Sequence, residues 1–133
     1  MHPMTRANLE AALAGEALAA LRFRLYADRA DDEGLADVAE LFEDIGREER
    51  RDHARRIAGA LGVIGSSRDN LMAALDGELT EHHRLYPSFA AQARRVGDLE
   101  AAALFEELAR DEHVHAVRIR ATLERHVAVT ATG

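Results

Sequence analysis

An all-α fold, four long helices arranged as two similar hairpins in a four-helix bundle, is what the 133 residues predict. Three observations carry that prediction: the composition, an internal repeat, and apolar stripes spaced at three and four. The chain is 47% apolar and 31% charged, with two prolines, no tryptophan and long runs of Ala, Leu, Glu and Arg, a helix-forming mixture. At this length it reads as one domain, residues 1–133, able to bury a real core.

The same composition excludes several functions. A formal charge of −7, with Arg as the sole basic residue type besides His, argues against a non-specific nucleic-acid surface. Without cysteine there are no disulfides, thiolate metal sites or Cys nucleophile, so any metal must use oxygen and nitrogen ligands. The start, "MHPMTRANLE", lacks an apolar signal-peptide core, and no run approaches the ~18 apolar residues of a membrane span. A cytoplasmic protein without membrane partners is expected.

The repeat is the stronger signal. "NLEAALAGE" (Asn8 to Glu16) returns as "NLMAALDGE" (Asn70 to Glu78), seven of nine letters identical at an offset of 62. "VAELFEDIGREE" (Val38 to Glu49) matches "AAALFEELARDE" (Ala101 to Glu112) at an offset of 63. One residue is gained between the blocks, where Pro87 in "LYPSFAAQA" must cost a helical hydrogen bond, so a bulge or kink there would absorb it.

Each half reads as a helical hairpin, 5–61 and 69–126. Helix 1 runs from about Thr5 to Ala30, and its stripe is Leu9, Leu13, Glu16, Ala20, Phe23 and Ala27. Asp31, Asp32 and Gly34 break the chain before helix 2, about Leu35 to Leu61, with Phe42, Ile45, Glu49, then Asp52 or His53, Ile57 and Leu61. "GVIGSSRDN" separates the halves. Helix 3, about Asp69 to Val96, carries Leu71, Leu75, Glu78, then Glu81 or His82, Leu85 and Phe89. After Gly97, helix 4 runs from about Asp98 to His126 with Phe105, Leu108, Glu112, His115, Ile119 and Leu123. Phe42 and Phe105 read as core; Glu40, Glu43, Glu106 and Glu107 read as exposed.

Every stripe is thus interrupted by acid near its middle. An ionised carboxylate buried without a partner costs several kcal/mol, and the Arg residues fall mostly off the stripes. A pair of cations would neutralise five or six such groups. Carboxylates from two helices with Glu-x-x-His from the other two form the ligand set of di-metal bundles, because residues three apart share a helix face.

On "NLEAALAGE", "NLMAALDGE" followed by Glu81, "LYPSFA", "LFEDIGREE" and "LFEELARDEHVHA", the chain resembles the rubrerythrin-like proteins of the ferritin-like superfamily, from about Asn8 to His126. The resemblance implies a ferritin-like bundle holding two iron ions, with manganese as an alternative fitting the same ligands. It makes Glu16 and Glu78 terminal ligands, Glu49 and Glu112 bridging ligands, His115 the histidine ligand, and Glu81 an extra carboxylate. Tyr86 is similar to a family tyrosine that hydrogen-bonds a ligand; Glu81 and Tyr86 are the catalytic candidates. The implied activity is reduction of hydrogen peroxide. Dioxygen as oxidant, a ferroxidase or iron-handling role, and a non-catalytic metal-binding module are the alternatives. Family members often carry a rubredoxin-like domain with four cysteines. With no cysteine here, electrons must come from an external donor, rubredoxin-like or another reductase. Phe23 stands where a second family tyrosine is expected.

In "REERRDHARR" the Glu-x-x-His pattern is broken. Alignment makes Asp52 the counterpart of His115, with His53 one step on. At about 100° per residue they lie about 60° and 40° to either side of Glu49. The preferred reading takes Asp52 as ligand with His53 as its neighbour. The competing one has His53 coordinate through a local helix distortion, and a third leaves both in solvent among the surrounding arginines. His82 and His83 flank the inner face of helix 3; His2, His113 and His126 read as surface.

In a ferritin-like bundle helices 2 and 3 run parallel, about 30 Å of travel at ~1.5 Å per helical residue. Gly62 to Asp69 spans at most ~27 Å. The expectation is a homodimer, either with unwound helix ends or with hairpins swapped between copies.

Overall fold

The computed structural model describes residues 1–130, with side chains through residue 126. Its elements are helical throughout: α1 (Pro3–Asp32), α2 (Ala36–Glu48), a π-helical turn (Glu49–Ala54), α3 (Arg55–Leu61), α4 (Ser67–Thr80), a second π turn (Glu81–Leu85), α5 (Tyr86–Val96) and α6 (Leu99–Thr130). The chain forms two compact units that divide between Ile64 and Gly65. Each is one of the expected hairpins. No described helix is long and apolar enough to cross a membrane.

Local chemistry sets the ends. α1 begins two residues earlier than expected because Pro3 fits the first turn and His2 Nδ1 accepts the Met4 amide at 3.2 Å. α4 begins at Ser67 because Ser66 and Asp69 form a reciprocal capping box. Gly34 (φ 75°) and Gly97 (φ 85°) make the turns between the arms of each hairpin, in a left-handed conformation that β-carbons oppose.

In the first hairpin the seam between α1 and the chain from α2 to α3 is built from small residues. Ala27, Ala30, Ala39 and Ala58 are buried with Leu61. Gly46 lies so close to α1 that a β-carbon there would sit 3.1 Å from Phe23 Cβ and 3.4 Å from the Ala20 carbonyl oxygen. Phe23, Tyr26 and Phe42 cluster beside the seam, with centroids 5.5 to 6.3 Å apart. The second hairpin repeats this plan with Ala90, Ala93, Ala102, Ala109 and Ala116 buried. Its aromatic trio is Tyr86, Phe89 and Phe105, 5.4 to 6.4 Å apart. The two trios occupy corresponding positions at an offset of 63. Tyrosine and phenylalanine are exchanged between them: the member ahead on the chain is Phe23 in one and Tyr86 in the other.

Two expectations need correction. Glu43 and Glu106 are half-buried: each ties its hairpin together, Glu43 to Arg24 at 3.0 Å and Glu106 to Arg94. Leu85 and Phe89 do not continue the inner stripe of the third helix, being 39% and 36% exposed; Tyr86, Ala90 and Ala93 lie inward instead. The π turn just before Tyr86 adds a residue and rotates everything after it by one position. Pro87, which lacks the amide that would bond four residues back, removes one α-helical bond to this turn.

Candidate metal centre

Each hairpin raises two carboxylates and one imidazole from the middle of its helices. In the first, Glu16 comes from α1, and Glu49 and His53 from the π turn; in the second, Glu78 comes from α4, and Glu112 and His115 from α6. In each trio one ligand-capable atom per residue lies within 4.8 Å of the others. His53 Nδ1 is 2.8 Å from Glu49 Oε2 and 3.5 Å from Glu16 Oε2. His115 Nδ1 is 2.7 Å from Glu112 Oε2 and 3.4 Å from Glu78 Oε2.

The matching distances conceal a difference in spacing, three residues from Glu112 to His115 but four from Glu49 to His53. The π turn reconciles them, because it takes one residue more than an α turn to come round to the same face. His53 therefore stands beside Glu16 and Glu49, whereas Asp52 is exposed and turns away to Arg56, 3.4 Å distant. The geometry thus brings His53, and not the expected Asp52, to Glu16 and Glu49. Asp52 Oδ2 comes no nearer than 4.0 Å to His53 Nε2. A sequence signal for this exists: "HARRI" (53–57) repeats as "HAVRI" (115–119), four of five letters, with the offset back at 62. Each hairpin contains one extra residue, spent in its own π turn.

Electrostatics show what the clusters lack. Contact with Glu49, then burial, pushes the Glu16 carboxyl up, while Glu49 is held down by its contacts with Glu16 and His53. Glu78 and Glu112 repeat the pattern, Glu78 driven up by Glu112 and by burial, Glu112 held down by Glu78 and His115. Both imidazoles are raised, chiefly by the hydrogen bond to Glu49 or Glu112. The carboxyl pushed up in each pair, Glu16 or Glu78, is the one whose charge the single imidazole offsets least. Glu78 Oε2 is buried and, among the described residues, has no hydrogen-bond partner; His115 Nδ1 stands 3.4 Å from it. An orphaned carboxylate oxygen beside a second carboxylate is the deficit that a cation fills. Oxygen-rich sets with one imidazole each fit iron or manganese.

Around the second cluster, Leu71, Glu78, His115, Arg118, Ile119 and Thr122 line a cavity of about 330 Å³. Arg118 was not singled out by the sequence; its counterpart at the offset of 62 is Arg56, which Asp52 pairs. A larger groove, about 520 Å³, runs beside Leu21, Arg24, Phe42 and Arg50 and is lined by no cluster residue. Glu81 opens the second π turn and does not join the trio of Glu78, Glu112 and His115. Tyr86 is half-buried, and its hydroxyl pKa is raised by burial and then by the charges of Glu81, Glu112 and Glu78, so the phenol stays protonated beside them.

Helical hairpins that each lift two carboxylates and an imidazole from mid-helix define a di-metal carboxylate protein of the ferritin-like class. The chain belongs to the rubrerythrin family, whose model matches residues 7–123. It is 36% identical over 132 residues to rubrerythrin of Porphyromonas gingivalis, covering 90% of this chain and 66% of that protein. Identity to rubrerythrin of Nitratidesulfovibrio vulgaris is 32% over 127 residues, covering 86% and 66%, and to nigerythrin of the same organism 31%, covering 86% and 63%. The chain therefore spans about two thirds of the length of these relatives. The family's domain is a ferritin-like helical bundle, and its members are di-iron proteins.

Proposed function

We propose that this chain is a di-iron oxidoreductase that reduces hydrogen peroxide to water with electrons from an external donor. The observation that carries this reading is the pair of equivalent clusters, Glu16, Glu49, His53 and Glu78, Glu112, His115, each with two carboxylates beside one imidazole and, in the second, a buried orphan oxygen. These six residues are the proposed ligands, with Glu81 beside them as a further carboxylate.

Iron bound there would polarise the peroxide and pass it the two electrons it needs. The chain's own groups do the rest. Reduction to two waters also consumes two protons, and because carboxylates that hold a metal are ionised, these protons come from groups outside the ligand set. Tyr86, kept protonated by burial and by its acidic neighbours, donates toward Glu81 and orients that carboxylate. Glu112, at 13% side-chain exposure, and the alanine seam behind it keep bulk water off one side.

The test is peroxide consumption by the iron-loaded chain with an artificial reductant, against Glu49→Ala/Glu112→Ala. The expected result is turnover that disappears together with bound iron. Iron retained by the variant refutes the ligand set. Oxidation and storage of iron with no peroxide turnover assigns the chain to iron handling. A homodimer is part of the proposal, and a monomer by light scattering would refute it.

A further inference from the structure

Three histidines outside both carboxylate clusters gather at the π turn of the second hairpin. The rings of His82 and His83 have centroids 4.4 Å apart, and those of His82 and His113 are 4.8 Å apart. His82 Nδ1 lies 2.6 Å from the carbonyl oxygen of Ala109 on α6. A carbonyl can only accept, so Nδ1 carries the proton and the neutral ring keeps its lone pair on Nε2. Imidazoles that bind metal are typically oriented in this way, by donating the other ring N–H to a carbonyl. The same carbonyl is the regular helical acceptor for the amide of His113, four residues on. His82 and His113 are thereby anchored to one point.

We propose that His82, His83 and His113 form an additional site, made of imidazoles, for a divalent transition-metal cation of the copper, nickel or zinc type. The rings of His83 and His113 each lie against that of His82, but the ligand nitrogens of the three are not all within 4.8 Å of one another. His82 is half-buried and fixed, whereas His83 and His113 are exposed and free to change rotamer and close on an ion at Nε2 of His82. Ligand chemistry selects the ion. Nitrogen-only sets favour the later first-row metals, and copper above all, whereas the carboxylate clusters suit iron or manganese. A cation here and iron in the clusters are measured separately, so failure of this assignment is distinguishable from failure of the other.

Copper(II) titration of the iron-loaded full chain, followed by electron paramagnetic resonance, tests the site. Each carboxylate cluster offers a single imidazole, so hyperfine coupling to two or more imidazole nitrogens marks the histidine site. The expected result is one equivalent with that signature, weakened roughly tenfold or more per imidazole lost in His83→Gln/His113→Gln. The exposed positions of both substitutions leave the helices intact. His82→Asn, which keeps a donor toward the Ala109 carbonyl and removes Nε2, should abolish the same signal. Coupling to one nitrogen alone, or equal copper affinity in the parent and the His83→Gln/His113→Gln variant, overturns the proposal. Iron content measured on the same samples reports on the carboxylate clusters independently.

Discussion

Glu49 and His53 meet at 2.8 Å across four residues, whereas their counterparts Glu112 and His115 meet at 2.7 Å across three. A π turn in the first hairpin takes up the difference. Asp52 is the residue it displaces outward, and it is there that Asp52 meets Arg56.

Substitution should separate the two neighbours. Asp52→Asn keeps its metal, since it loses only an exposed ion pair. His53→Ala loses a ligand and should weaken metal binding more than about 100-fold, beyond the range for residues that merely support ligands. Metal stoichiometry after dialysis measures both, and equal retention would show that His53 is no ligand.

Deleting Asp52 is a sharper test of the helix geometry. The deletion removes the extra residue and restores a Glu-x-x-His spacing like that of Glu112 and His115. The expected outcome is a folded, helical chain that still binds metal at the parental stoichiometry. Loss of metal with full helicity by circular dichroism would mean that the π turn itself is required.

Gly46 should tolerate nothing large. The space a side chain would need is taken by Phe23 and by the backbone of Ala20, so Gly46→Val must push α1 from α2. Overpacking of this kind costs about 1–3 kcal/mol, readable by denaturant unfolding. Gly46 is one turn ahead of Glu49, so the variant should also load less iron.

At the start of α4, Ser66→Ala should cost about 1 kcal/mol, the usual value of an N-cap. Asp69 supplies the pH dependence. The Ser66 hydroxyl and amide hold its carboxyl below the usual range. A lowered folded-state pKa stabilises the fold above the ordinary carboxylate range, and that contribution is lost as pH falls through the lowered value. Carboxyl titration by NMR should show Asp69 moving up toward the ordinary range in Ser66→Ala; an unmoved titration would refute the cap's role.

Much of this was legible in the chain. Leu9, Leu13, Glu16, Ala20, Phe23 and Ala27, spaced at three and four, are all at least half-buried as the stripe predicts. The repeat made two hairpins visible because equivalent helices must meet equivalent partners. Pro87 announced a distortion in the third helix, and a π turn precedes it. No proline marks the π turn at Glu49; its trace in the chain is the match of "HARRI" to "HAVRI", whose offset of 62 leaves one extra residue between Glu49 and His53.

The sequence by itself determined the helices, their pairing into hairpins and the acids at their centres, since periodicity and side-chain chemistry are local properties. Tertiary structure decided which of two adjacent residues, Asp52 or His53, joins Glu16, and that His82 and His113 share the Ala109 carbonyl. Both outcomes depend on rotations of less than one residue about a helix axis. Such rotations are set by what the opposite arm of the hairpin offers, which no window of sequence contains.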